Sequence, residues 1–319
     1  MLKVTLLGTG GMMPLKERAL TSLYVSWNGH STLIDCGEGT QVQIRSAGLS
    51  FKAIDLLLLT HFHADHVSGL PGLLLSMGNQ GREAPLMIAG PVGVERVVRS
   101  LRVIAPELPF DLSFLPLDTD DPQPLEHESL QITPFPLRHK MPCLGYRLYL
   151  PRVGQFDPEM AKRNQVPLPC WSQLQKQPEV WLDGIRYTRD LVMGPPRRGL
   201  TVVYVTDTRP LPTIAGIARD TDLLIAEGMY GDPEKLASAQ EKGHMLMTEA
   251  AELARQANPR RFWLTHFSPA MPDPENWLSQ AKAIFPRTEL GWDGRQEDLA
   301  YTNEPSLPED STGNPACDP

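Results

Sequence analysis

Cysteine is scarce in this 319-residue chain: Cys36, Cys143, Cys170 and Cys317 are scattered, and no two form a C-x-x-C pair. That excludes a disulfide framework and a thiolate zinc site, and predicts reduced thiols. Any metal must therefore be held by histidine and carboxylate. Long apolar runs are missing too. Stretches such as 56–59 fall far short of the roughly 18 residues a membrane span needs. The first eight residues alternate like a strand and lack the apolar stretch and cleavage site of a secretory leader. The expectation is a cytoplasmic protein with no membrane partner.

Positive charge is also in short supply. The formal net charge is −8, which by itself does not point to a nucleic-acid partner. Its distribution says more. Segment 151–199 carries eight Lys/Arg against five Asp/Glu, while 303–319 has four acidic residues and no basic one. A basic segment on an acidic body can mark a phosphate-binding surface or an ordinary solvated loop, and charge alone does not choose.

What is there reads as two strand–helix halves around an irregular insert. Segments 4–7, 23–26, 32–35 and 54–59 have strand composition, and 54–59 is the continuous apolar run of a strand buried on both faces. Helices are predicted over 69–77 and 91–104, the latter with Pro91 in its first turn. Strands follow at 130–136 and 144–150. Residues 151–199 are rich in proline and lack a long periodic segment. Strands at 201–205, 222–226 and 261–265 then alternate with helices at 246–257 and 274–284. The tail 303–319 is expected to be disordered. The two halves share one logic, consistent with a duplicated fold.

The chemistry concentrates in His61-Phe62-His63-Ala64-Asp65-His66, directly after the buried strand. Side chains two apart in an extended segment share a face, so His61 and His63 can bite one metal. Asp65 and His66, where the chain turns toward a helix, can face a second. The bland alternative is a polar loop with incidental histidines. Three of the chain's eight histidines within six residues speak against it. Two metals need further ligands, and strand ends are where open sheets present functional side chains. His139, Asp207 and His266 each follow a predicted strand. Alone, each would pass for a cap or surface residue; their matching placement raises all three.

These residues carry a family resemblance. The hexapeptide and the segments Ser22-Leu23-Tyr24-Val25, 33–41 (Leu-Ile-Asp-Cys-Gly-Glu-Gly-Thr-Gln) and His139 before Gly145-Tyr146 resemble the metallo-β-lactamase superfamily. So do Gly194-Pro195-Pro196, Asp207-Thr208-Arg209-Pro210 and Leu264-Thr265-His266-Phe267-Ser268. Within the superfamily the pattern is similar to the ribonuclease Z group of tRNA 3′-processing endonucleases, from residue 1 to about 300. The resemblance implies an α/β fold, a four-layer αββα sandwich, with catalytic domain 1–302 and an inserted arm over 151–199. It implies two Zn2+ per subunit, one on His61, His63 and His139, the other on Asp65, His66 and His266, bridged by Asp207. Manganese or iron could substitute, because His/Asp sites discriminate weakly by affinity. Asp35 would orient a ligand, Asp65 would also accept the proton of the attacking water, and Glu227 with His244 would protonate the leaving 3′-oxygen. For His244 the competing reading is a loop residue near a helix start. Precursor tRNA is the implied partner, together with a second copy of the chain in a homodimer.

The chain departs from the group's pattern outside the ligand set. Ala226 stands where the group has a histidine, Ala270 lies where it has a basic residue, and the Gly-Pro core of the arm reads Val166-Pro167-Leu168-Pro169-Cys170-Trp171. Two other readings stay open on these grounds: a hydrolase of a small phosphodiester or sulfate ester, and a non-catalytic RNA-binding protein stabilised by zinc.

Overall fold

The computed structural model of the chain describes residues 1–302; the tail 303–319, for which disorder was expected, lies outside the described residues. The N-terminal half contributes β1 (Leu2–Gly8), β2 (Ser22–Trp27), β3 (His30–Ile34), α1 (Thr40–Ser46), β4 (Ile54–Leu58), α2 (Ala64–Val67), α3 (Leu70–Asn79), β5 (Leu86–Pro91), α4 (Val94–Leu101) and β6 (Leu112–Leu117). There follow β7 (Leu125–His127), β8 (Leu130–Leu137), β9 (Cys143–Arg152), α5 (Pro158–Arg163), α6 (Leu168–Leu174), β10 (Glu179–Leu182) and β11 (Ile185–Thr188). The last third comprises β12 (Arg197–Val205), α7 (Pro212–Ile217), β13 (Leu223–Glu227), α8 (Leu236–Lys242), α9 (Met247–Ala257), β14 (Phe262–Thr265), α10 (Glu275–Ile284), β15 (Thr288–Leu290) and β16 (Gln296–Leu299).

One sheet runs β16-β1-β2-β3-β4-β5-β6 and the other β15-β14-β13-β12-β9-β8-β7. Each joins an antiparallel part, β16 to β3 or β7 to β9, to a parallel part, β3 to β6 or β12 to β15. Parallel strands demand cover on both faces, and every residue from Leu56 to Leu59 is fully buried. Leu33, Leu57 and Ile88 pack outward with Leu73 and Leu74 of α3 and Val94 and Val98 of α4. Val203, Leu224 and Leu264 pack outward with Ala250, Ala251 and Ala254 of α9. Between the sheets, Tyr146 Oη donates to the Leu59 carbonyl at 2.6 Å and the Leu144 N–H to the Thr60 carbonyl at 2.9 Å. The result is the expected αββα sandwich.

The described residues form two compact units, 1–149 with 201–300, and 150–200 with 301–302. The second has its own small core of Ala161, Val166, Cys170, Leu174, Val180 and Val192. Asp157 caps α5 by accepting the N–H groups of Glu159 and Met160, and the Trp171 indole N–H donates to the Val166 carbonyl. Its helices span six and seven residues and its hairpin strands four each, too short for the periodic signal sought in the sequence. One expectation fails outright. Pro91 ends β5 rather than opening a helix, and α4 starts only at Val94. As the last residue of its strand, Pro91 sits where proline's missing N–H matters least.

Candidate metal centre

The site forms where strands of both sheets end, the parallel β4, β12, β13 and β14 and the antiparallel β8. His61 and His63 lie just past β4, Asp207 just past β12, His266 just past β14 and His139 two residues past β8, while Glu227 is the last residue of β13. Asp65 and His66 sit on α2, the single turn that the hexapeptide makes before α3. Three of the backbones here are bent into a region that side chains avoid: φ is 60° at Asp35, 37° at Asp207 and 56° at His266. Such strain clusters at sites whose side chains must be aimed. Space is equally tight. A Cβ on Gly11 would lie 2.6 Å from Cε1 of His266, so only glycine lets that loop pass.

The seven side chains expected as ligands converge. Nδ1 of His63 lies 3.0 Å from His61 Nε2 and 3.2 Å from His139 Nε2. Nε2 of His66 lies 3.2 Å from Nε2 of His266, and Asp65 Oδ2 is 3.7 and 3.5 Å from the same two nitrogens. Asp207 spans both groups. Its Oδ1 is 3.2 Å from Nε2 of both His66 and His266, and its Oδ2 is 3.6 Å from His61 Nε2 and 3.8 Å from His139 Nε2. Among the described residues, the clusters that could hold a metal are His61, His63, His139 and Asp207; Asp65, His66 and His266; and Asp207, His244 and His266.

The chemistry of this donor set fits divalent cations. Asp207 Oδ1 is buried without a well-formed hydrogen bond, although Nε2 of His66 and of His266 lie 3.2 Å away. Burial, then the neighbouring imidazole His66, hold the His61 ring well below its ordinary value, and burial foremost lowers His63 and His139. These rings are therefore neutral and offer a lone pair. Burial opposes the charge on Asp207, but the facing rings of His266, His66 and His61 outweigh it, and its carboxyl lies well below the usual range. Asp65 is lowered likewise, burial being overcome by His266 and His66. For His66, burial is overcome by Asp207 and Asp35, which raise it well above its ordinary value. In imidazole–carboxylate sites of this type, oxygen and nitrogen ligands with room for solvent suit zinc and its neighbours.

An outer ring of hydrogen bonds fixes the cage. Asp35, fully buried, lies 2.8 Å from His66 Nδ1 and accepts both the N–H and the hydroxyl of Thr60 at 2.8 Å. His61 Nδ1 is 3.1 Å from the Thr60 hydroxyl and His139 Nδ1 is 3.1 Å from the Gly243 carbonyl. These bonds put the proton on Nδ1 and leave Nε2 to point inward. The Met12 N–H donates to Asp65 Oδ2 at 2.7 Å.

Glu227 and His244 meet beside this cage. Glu227 Oε2 lies 3.1 Å from His244 Nδ1, and Oε1 accepts the Thr208 N–H at 2.6 Å. Burial would lower the His244 imidazole, but the Glu227 charge, its hydrogen bond and Asp207 raise it to about 9. Sequence reasoning missed the clamp behind it. Arg209 donates to the His244 carbonyl and to both oxygens of Glu249, and Glu249 Oε2 in turn accepts the Leu246 N–H at 2.9 Å. Arg209 stood in a quoted motif, but its partner lies 40 residues on and no local pattern links them.

Comparison with known proteins adds the following. A family model described as "Anti-Pycsar protein Apyc1" matches residues 2–103, and one described as "Beta-lactamase superfamily domain" matches residues 190–267. Ribonuclease Z of Lachnospira eligens is 49% identical over 304 residues, 95% of this chain and 100% of that protein. Ribonuclease Z of Lachnoclostridium phytofermentans is 49% identical over 94% of this chain and 99% of its own length. Among solved structures, the short form of human tRNase Z superposes with a TM-score of 0.67 at 22% identity, over 94% of this chain and 100% of that one.

Proposed function

Since the chain belongs to the ribonuclease Z family of the metallo-β-lactamase fold, we propose that it is a metal-dependent endoribonuclease that removes the 3′ trailer from precursor tRNA and leaves a 3′-hydroxyl. The observation that carries this reading is Asp207, whose two oxygens each face one histidine group, with the Glu227–His244 couple alongside. His61, His63 and His139 would hold one Zn2+, Asp65, His66 and His266 a second, with Asp207 between them. Bound there, divalent cations polarise a phosphodiester and acidify the attacking water.

The protein's own groups do the rest. Asp65 takes the proton of the water as its oxygen attacks phosphorus. Glu227 holds His244 through Nδ1, so that Nε2–H points away from the carboxylate and donates its proton to the 3′-oxygen as the P–O bond breaks. With its imidazole raised to about 9, His244 carries that proton at neutral pH. The products are a 3′-hydroxyl on the tRNA and a 5′-phosphate on the trailer. The 150–200 unit, with its excess of Lys and Arg, would grip tRNA, in a homodimer acting in the cytoplasm.

The test is to incubate metal-loaded protein with a precursor tRNA and map the cut. Cleavage just after the discriminator nucleotide, abolished by chelator and restored by zinc, is expected. Turnover of small aryl phosphodiesters with intact precursor left behind would replace this reading with that of a small-ester hydrolase. Bound zinc with neither activity would leave a binding protein.

A further inference from the structure

Tyr301 and Thr302, where the described residues end, are bound to the 150–200 unit. The Tyr301 hydroxyl donates to the Pro151 carbonyl at 3.2 Å and Arg152 donates to the Thr302 carbonyl at 2.7 Å, with its guanidinium 4.9 Å from the Tyr301 ring centre. Segment 303–319 therefore starts from this unit, and it carries Glu304, Glu309, Asp310 and Asp318 with no Lys or Arg. The unit has the opposite balance, eight Lys/Arg against five Asp/Glu over 151–199. Three of those acids are already engaged: Glu159 with Lys162, Glu179 with Arg186, and Asp157 with the N–H groups that it caps. Beside the anchored Thr302 lies an open groove of about 700 Å³. Val153 and Gly154, directly after Arg152, form one wall and Gly194, Pro195 and Pro196 another. A Cβ on Gly154 would lie 1.9 Å from the Gly194 carbonyl oxygen, so only glycine lets the two walls meet. Met160, Met193 and Pro178 add apolar surface, and the charges of the lining balance, Arg163 and Arg189 against Asp157 and Asp190. The edge of the groove is positive. Arg197, next to Pro196, donates to the Val153 carbonyl at 3.2 Å, and Arg198 follows it.

We propose that the acidic segment 303–310 of this chain docks in that groove and competes with tRNA for the unit's positive surface. The inference rests on the reading of the 150–200 unit as the tRNA grip and adds a regulation to it. The order of residues fits the order of the surface. Glu304, two residues past the anchored Thr302, meets Arg197 and Arg198; Pro305, Leu307 and Pro308 supply apolar contact for the groove; Glu309 and Asp310 continue the negative charge beyond it. Eight residues span at most ~28 Å, ample for a groove that begins one residue after Arg152. A tethered segment acts at a high effective concentration, so a contact that is weak by itself suffices. The ion pairs are exposed and screened by salt. An RNA that makes many phosphate contacts displaces the segment, whereas a polyanion that makes few does not. The segment thus raises selectivity at some cost in affinity.

Cys317 offers a place for a nitroxide spin label, because Cys36, Cys143 and Cys170 are buried. In the metal-loaded 319-residue chain the label is expected to broaden the amide signals of Val153, Gly154 and Gly194 at low salt. High salt should remove that broadening, and so should a variant combining Glu304→Gln, Glu309→Gln and Asp310→Asn. Leu307→Ser leaves the charge unchanged and should weaken the broadening as well, through the groove. In parallel, KM for precursor tRNA at low salt should fall about three- to tenfold in the neutralised variant. It should match wild type at high salt, and turnover of an aryl phosphodiester should be the same in every variant. Broadening that survives neutralisation, or an unchanged KM at low salt, would overturn the proposal. Broadening that Leu307→Ser leaves intact would overturn the groove as the seat. If wild-type protein cuts no precursor at all, the endoribonuclease reading fails, while the spin-label comparison still decides the docking.

Discussion

The metal centre and the 150–200 unit are built on opposite principles. At the centre, His61, His66, His266, Asp35 and Glu227 are fully buried, and the polar atoms of Asp35 and Glu227 answer to named partners, while Asp207 Oδ1 and His266 Nδ1 have none. In the other unit a handful of buried residues holds short elements together, while Leu168, Ile185 and Trp181 stand 71, 55 and 63% exposed. Buried, mutually bonded groups tolerate no independent change, because removing one strands the others. An exposed surface on a thin core can drift with little cost to folding. That difference sets how much change each region tolerates. It also orders what mutation should do.

The largest effect belongs to Asp207→Ala. It should release metal, measured by elemental analysis, and abolish cleavage of precursor tRNA and small esters alike, well beyond the ~10–100-fold typical of losing an outer-ring partner. Two metals retained in that variant would undo the bridging role.

His244→Ala comes next. Loss of a general acid should lower kcat on precursor tRNA ~10²–10⁴-fold. A p-nitrophenyl ester, whose leaving group departs without a proton, should be affected far less. Equal loss on both substrates would argue that His244 serves structure. The pH dependence follows in sign. Glu227 raises the His244 imidazole to about 9, so the acid form is present below that value and is lost as pH rises through it. Wild-type kcat on tRNA should therefore fall on the alkaline side at or below about pH 9, since cations bound nearby push the imidazole down. Glu227→Gln should move that fall to lower pH, and an unmoved profile would remove Glu227 from the couple.

Arg209→Lys tests the clamp. A lysine cannot span the His244 carbonyl and both Glu249 oxygens. The expected result is a fall in kcat of up to ~10²-fold from a misplaced acid, with KM and metal content unchanged. A rise in KM instead would assign Arg209 to substrate binding.

The smallest effect should come from the exposed unit. Neutralising Arg197 and Arg198 is expected to raise KM for tRNA and flatten its salt dependence by about one phosphate contact per charge, leaving ester turnover and metal content alone. Equal loss on both substrates would contradict the contrast between the two regions.

Much of the centre was legible along the chain because its chemistry is dense there. His61, His63, Asp65 and His66 lie within six residues after a strand whose apolar run announces burial on both faces. His139, Asp207 and His266 were readable only as single residues after strands. β5 hid because its Leu-Met-Ile-Ala-Gly-Pro run precedes a periodic helix and ends in a proline that also suits a helix start. The four-residue strands β10 and β11 were too short to show a period.

Residue order alone determined which donors this protein owns and that they sit at strand ends, because alternation and burial are local properties that a linear pattern records. Tertiary structure decided the rest. Asp207 facing two histidine groups and Arg209 closing on Glu249 arise from separate strands and helices packing together. Distances between such segments depend on the whole core, and no local stretch of sequence encodes them.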